Sequence, residues 1–218
     1  MVLNVEADWK MEKDQFCESG GPCEWAKAPA ALWWTPFRTG YGPGVLIGRV
    51  GKLEEQCPTW VAAIKTLARL TFIAPDGTET ELRDEQSNGE PHVTPTCSLP
   101  PPHSRGAAFK SFDGSALTFI SDSEVLESEN AGVLDSLSGY LLFPSGLRYR
   151  ISDGLVQWIR DRNGNLLEFQ YDAMRRVTLI TDATKRQIQI AYYVNNCPVG
   201  GGHCDEITYK GTGGQDRL

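Results

Sequence analysis

Long apolar runs, histidine and an excess of positive charge are all scarce in this chain, and each shortage removes a class of function. No stretch approaches the ~18 consecutive apolar residues that a bilayer-spanning helix requires, so no membrane span is expected. The start, Met1 to Gly20, carries Glu6, Asp8, Lys10, Glu12, Lys13 and Asp14 where a signal peptide would be apolar, so no export signal is visible in it. A formal net charge of −7 disfavours nucleic acid and anionic membrane, because neither rewards an acidic surface. The three histidines, His92, His103 and His203, lie in Pro- or Gly-rich segments without a nucleophile and an acid at a recognisable spacing. They read as loop residues and not as general bases. Ser145, in Phe-Pro-Ser-Gly, lacks the Gly-x-Ser-x-Gly elbow that exposes a nucleophile. With no convergent set of titratable groups, neither an enzyme nor a cofactor is expected.

What the chain does contain is a repeat. Taking Gly77, Gly114, Gly146, Gly164 and Lys185 as references, the residues five before them are Phe72, Phe109, Leu141, Ile159 and Ile180. Three after them stand Thr80, Leu117, Tyr149, Leu167 and Ile188, and five after stand Leu82, Phe119, Ile151, Phe169 and Ile190. Fourteen of these fifteen positions are large and apolar or aromatic. Two units match at an offset of 21, with Asp161 on Asp182, Leu167 on Ile188, Phe169 on Ile190 and Tyr171 on Tyr192. Self-similarity of this length marks a repeat architecture, since one unit alone cannot bury its apolar face.

The same offsets select a turn. The first four references are preceded by Pro75-Asp76, Phe112-Asp113, Pro144-Ser145 and Arg162-Asn163. A three-residue loop, a type I turn with Gly in a left-handed bulge position, sets the residue five before Gly opposite the one three after it. Ile159 then faces Leu167 and Phe109 faces Leu117, with Phe169 and Phe119 on the same sides. Gln157, Arg160, Glu168, Gln170, Thr181, Gln187 and Gln189 fall between the apolar positions, which leaves one face wet. The fold class is mainly β: consecutive antiparallel hairpins forming a curved, open sheet after an irregular N-terminal segment.

Composition shifts near Leu67. Residues 1–67 hold five of the six tryptophans, Trp9, Trp25, Trp33, Trp34 and Trp60, with no visible repeat and no assignable fold. Residues 68–218 hold the hairpins. Thr59 to Leu70 reads as a short amphipathic helix or as a strand, of which the strand is preferred. Residues 84–104, with Pro100-Pro101-Pro102, read as a long surface loop. The six cysteines group as Cys17 with Cys23, Cys57 with Cys97, and Cys197 with Cys204, an even count that suits disulfides in an oxidising compartment. Free thiols, or a metal held by Cys197, His203 and Cys204 with Cys17 and Cys23, are the alternatives, and no Cys-x-x-Cys knuckle supports the metal.

GYLLFPSGLRYRI (139–151), WIRDRNGNLLEFQYD (158–172) and RVTLITD (176–182) together resemble the RHS or YD-repeat family of bacteria. That family's repeat runs Tyr-Asp-x-x-Gly-Arg-[Val/Leu]-x-x-[Ile/Val]-x-Asp, and Tyr171, Asp172, Arg176, Val177, Ile180 and Asp182 fill its frame. Arg175 and Lys185 stand where Gly is usual, which puts the turn geometry there in question. The resemblance covers roughly Gly139 to Gln215 well and Leu70 to Ser121 loosely. It implies a segment of a β-shell that encloses, displays or adheres to other segments, secreted or at the cell surface, as part of a polymorphic-toxin-like assembly. Five hairpins are too few for closure, so both sheet edges are expected to be open and the chain to be a fragment of a larger repeat protein.

Competing chemistries are weaker. Asp161-x-Asn163-Gly164-Asn165 matches half of a calcium loop, but the later Glu and the flanking helices are missing, so a hairpin turn is expected. Asp122, Glu124, Glu127 and Glu129 form an acidic run that reads as solvated loop. A carbohydrate-binding surface using Trp33, Trp34, Tyr41 and Trp158 as stacking platforms is the alternative function, weighed against the commoner fate of tryptophan in a core.

Overall fold

The computed structural model describes residues 42–48, 57–60, 69–89, 103–126, 137–195 and 204–211, and the backbone of 11–16, 24–29, 49–56, 61–68, 127, 203 and 216–217. Every element among them is a strand. In chain order these are β1 (Met11–Phe16), β2 (Glu24–Pro29), β3 (Val45–Gln56), β4 (Val61–Ile73), β5 (Glu79–Asp84), β6 (His103–Ser104), β7 (Ala108–Ser111), β8 (Thr118–Ser121) and β9 (Leu126–Glu127). They continue as β10 (Gly139–Leu142), β11 (Arg148–Ser152), β12 (Leu155–Arg160), β13 (Leu166–Tyr171), β14 (Val177–Asp182), β15 (Gln187–Asn195), β16 (His203–Lys210) and β17 (Asp216–Arg217). All pairings are antiparallel, and thirteen strands form one sheet.

The alternation in the sequence becomes two cross-strand rows. Phe109, Phe119, Leu141, Tyr149, Ile159 and Leu167 stand side by side across β7, β8, β10, β11, β12 and β13, and they face the core. One residue along, Ile120, Tyr140, Arg150, Trp158 and Glu168 form the neighbouring row on the outer face. Four of the five reference pairs oppose each other at the offsets given above: Phe72 with Thr80, Leu141 with Tyr149, Ile159 with Leu167, and Ile180 with Ile188. The second unit differs. Phe109 stands opposite Phe119, and Leu117 lies across from Ser111, donating and accepting around a longer turn in which Ala116 also has a positive φ of 55°. A slip of two residues preserves the facing, so Phe109 and Leu117 are both buried all the same.

The sheet is not open at both edges. β3, β4, β5, β7, β8, β10, β11 and β12 close into an eight-stranded ring, sealed where Leu155 pairs with Val45 and the Leu46 N–H donates to the Gly154 carbonyl at 2.8 Å. Two features absent from the five-hairpin count supply the closure. β3 and β4 form a long hairpin, register-paired from Val45 with Ile73 to Gln56 with Val61, so 59–70 is mostly strand and the N-terminal stretch is not uniformly irregular. β11 and β12 turn on Asp153-Gly154 alone, both at positive φ (49° and 75°), the type I′ geometry whose twist matches a hairpin.

An eight-stranded ring leaves an interior that side chains fill. Leu46, Leu70, Phe72, Leu82, Phe109, Phe119, Leu141, Ile151 and Val156 occupy it, each no more than 3% exposed. Phe72 meets Tyr149 and Phe143 edge-on, with centroids 5.9 and 6.2 Å apart. At β12 the sheet forks: Leu155 pairs with β3, and Trp158, Ile159 and Arg160 pair with β13. From there β13 to β17 extend the sheet as an arm whose inner face, with Phe169, Val177 and Ile190 buried, continues the same core.

Candidate functional site

The arm repeats one device. In the turn from Asp172 to Arg176, the Arg175 N–H donates to the Asp172 carbonyl and the Asp172 N–H to the Arg176 carbonyl, both at 2.9 Å. The turns at Asp161 and Asp182 are bonded in the same way. Gly77, Gly114, Gly146 and Gly164 have φ between 79° and 90°, and Arg175 and Lys185 take the same left-handed conformation at 64° and 66°. The turn therefore survives the loss of its glycine.

What stabilises it is the aspartate. Asp182 Oδ1 accepts from the N–H groups of Thr184 and Arg186 at 2.9 Å each, and Oδ2 accepts from Arg186 Nε at 2.6 Å. Asp172 grips Met174, Arg176 N and Arg176 Nε in the same manner. Asp161 holds Asn163, Asn165 and the Asn165 amide, so its oxygens are spent on its own turn and not arranged around an ion. Partial removal from water pushes the Asp182 carboxyl up, but the bonds from Thr184 and Arg186 outweigh it and hold the group at about 2. The Asn165 amide, with the turn N–H groups, likewise holds Asp161 below the usual carboxylate range.

Each repeat tyrosine reaches back by the same distance along the chain. Tyr171 Oη donates to the Val156 carbonyl at 2.6 Å, and Tyr192 Oη to the Val177 carbonyl at 2.7 Å. Burial pushes the Tyr171 phenol well above its ordinary value. Arg176 lies over the Tyr192 ring at 4.3 Å while paired to Asp172. Tyr171, Asp172, Arg176 and Tyr192 are thus brought together as ties between successive strands.

A different group forms on the outer face of the ring. The Tyr140 and Trp158 rings meet edge to face at 6.1 Å, Arg150 lies over Tyr140 at 4.8 Å, and Arg160 lies over Trp158 at 5.0 Å. Asp122 takes Arg150 through two bonds of 2.7 and 2.6 Å, which holds the Asp122 carboxyl down. Asp122 is therefore an ion-pair partner, and Glu124 accepts from Ser104 Oγ at 2.8 Å. Glu127 and His103 are paired in the short β6–β9 ladder, and His203 begins β16 opposite Asn195. Ser145 accepts the Leu147 N–H in its turn. Among the described residues no three His, Cys, Asp or Glu side chains converge as metal ligands.

Cys57 and Cys204 are disulfide-bonded, and the pairing falls outside the described residues. Cys17, Cys23, Cys97, Cys197, His92, Glu129, Trp33, Trp34 and Tyr41 also lie outside them, as does most of loop 84–104.

Three features were not singled out in the sequence. Asp153-Gly154 could have been, because Asp-Gly between apolar alternations is a strong hairpin signal. Tyr140 and Arg150 could follow from the period-2 pattern once their register was known. The ion pair of Asp84 with Arg105 carries no local signal, since 21 residues separate its members. Compared with protein-family models, curated proteins and solved structures, the chain finds no match.

Proposed function

We propose that the chain is a non-catalytic structural module of the RHS/YD-repeat kind, secreted or at a cell surface, whose filled ring anchors an arm of hairpin repeats. Of enclosing, displaying and adhering, the filled interior favours the last two. The observation that carries the reading is the pair of tyrosine ties, Tyr171 to Val156 and Tyr192 to Val177. The conspicuous polar residues of the repeat, Asp161, Asp172, Arg176 and Asp182 included, spend their bonding capacity inside the sheet. Disulfide bonding at Cys57 and Cys204 fits an oxidising location.

Limited proteolysis of the intact chain tests it. In the Tyr171→Phe/Tyr192→Phe variant, cleavage is expected to move into β13–β16 while the ring stays resistant. A variant as resistant as the parent would remove the ties from the scaffold, and the reading with them.

A second reading, a carbohydrate-binding surface module, is favoured by one observation. Tyr140 and Trp158 are adjacent on the outer face, and Tyr140 is 42% exposed.

A further inference from the structure

Arg148 stands directly opposite Arg160 across β11 and β12. Both are exposed, and among the described residues neither is ion-paired to a carboxylate. Like charges directly opposite in an antiparallel ladder work against the pairing. The chain carries 28 acidic residues against 21 Lys and Arg, yet here two arginines stand at opposed ladder positions with no carboxylate paired to either among the described residues. They adjoin the aromatic pair: Arg160 lies over Trp158, and Arg150, between Arg148 and Tyr140, is already committed to Asp122.

We infer that this face binds a polyuronate, a linear polysaccharide whose rings bear carboxylates. Arg148 and Arg160 take the carboxylates, because a guanidinium presents a planar fork of donors that matches a carboxylate in two bonds. With Arg150 over one ring and Arg160 over the other, Tyr140 and Trp158 offer the aromatic surface left uncovered to the sugar rings alongside. A polymer is required because one exposed ion pair contributes at most ~1 kcal/mol, so retention needs several contacts at once. Duplex nucleic acid, with a charge every ~1.7 Å of axis, suits the patch less, since Glu168 lies in the adjoining row and Asp122 already neutralises Arg150. The inference rests on the carbohydrate reading and names its ligand class.

Affinity electrophoresis and titration calorimetry with polygalacturonate, neutral dextran, dextran sulfate and single-stranded DNA test it. Polygalacturonate is expected to bind, more weakly as salt screens the contact, and neutral dextran to bind far less. Arg148→Glu should lower polygalacturonate affinity by about tenfold or more, equivalent to ~1.4 kcal/mol. The same variant places opposite charges across the ladder, so its melting temperature should hold or rise, which separates lost binding from lost folding. Unchanged polygalacturonate binding in Arg148→Glu would overturn the inference, as would equal or tighter binding of dextran sulfate or DNA. Dextran bound as well as polygalacturonate would leave the carbohydrate reading standing and remove the uronate. No glycan bound at all would remove both.

Discussion

Arg105 Nη1 donates to Asp84 Oδ2 over 3.1 Å, with the two side chains 0% and 2% exposed. Asp84 also accepts the N–H groups of Gln86, Ser87 and Gly89 and the Ser87 hydroxyl, and Ser87 Oγ contacts Arg105. A buried carboxylate so surrounded is compensated at each lone pair. The pair stands at the two ends of the Pro-rich segment 84–104 and clasps it where β5 leaves the ring and β7 re-enters.

Replacing Arg105 with Met keeps the volume and removes the charge, which leaves Asp84 buried without its counterion. Urea denaturation should register a loss of ~3–5 kcal/mol, the usual cost of breaking a buried pair from one side. A loss below ~1 kcal/mol would mean that water reaches the pair in solution.

Acid should loosen the molecule in a defined window. Burial pushes Asp84 up, but Ser87, Arg105 and Gly89 outweigh it and the carboxyl sits below its unfolded value of 3.8. Asp182 sits at about 2 for the reasons given above. A depressed folded value means that the contribution is complete above ~3.8 and fades as pH falls through the folded value. Melting temperature should therefore be level with respect to these groups from pH 7 to 5 and fall between about pH 4 and 2. Asp182→Asn, which does not titrate, should show a shallower fall, and an identical profile would exclude Asp182 as a contributor.

Removing one tyrosine hydroxyl tests the ties singly. Tyr171→Phe leaves the Val156 carbonyl without that donor and should cost ~1–2 kcal/mol in chemical denaturation. Tyr192→Phe should cost less, because Tyr192 lies further out on the arm, and amide exchange should quicken in β14 and β15 before the ring responds.

The glycines divide by cause. A Cβ on Gly164 meets nothing within 4 Å, so Gly164→Val costs only the left-handed strain at φ 90°, ~1–3 kcal/mol. A Cβ on Gly139 would collide with the Ile120 carbonyl oxygen and the Ser121 backbone, so Gly139→Ala should lower the melting temperature more than Gly164→Val does. Conversely Lys185→Gly relieves a left-handed lysine and should stabilise by ~0.5–1 kcal/mol. Arg175→Gly should not share that gain, since Arg175 Nη2 donates to the Asp153 carbonyl.

Much of the arm was legible because its information is local. Ile159 opposite Leu167 follows from a turn five residues wide, and the aspartate clamps reach only two to four residues ahead. The second hairpin slipped by two because Ser111 to Leu117 tolerate more than one turn, and a two-residue slip returns Phe109 and Phe119 to the same side. The outer group was only half legible. Trp158 was visible as an aromatic on a wet strand, but Tyr140 and the opposed Arg148 and Arg160 become neighbours only through registers between strands.

By itself, the order of residues determined which positions reverse the chain and which side of each strand is greasy. Turn propensity and a period of two act over a handful of residues. Closure of the ring at Val45 and Leu155, the clasp of Asp84 on Arg105 and the outward arginine pair were decided only by tertiary structure. Each depends on where strands distant in sequence come to rest, and the free energy that selects those registers is shared across the whole buried interior.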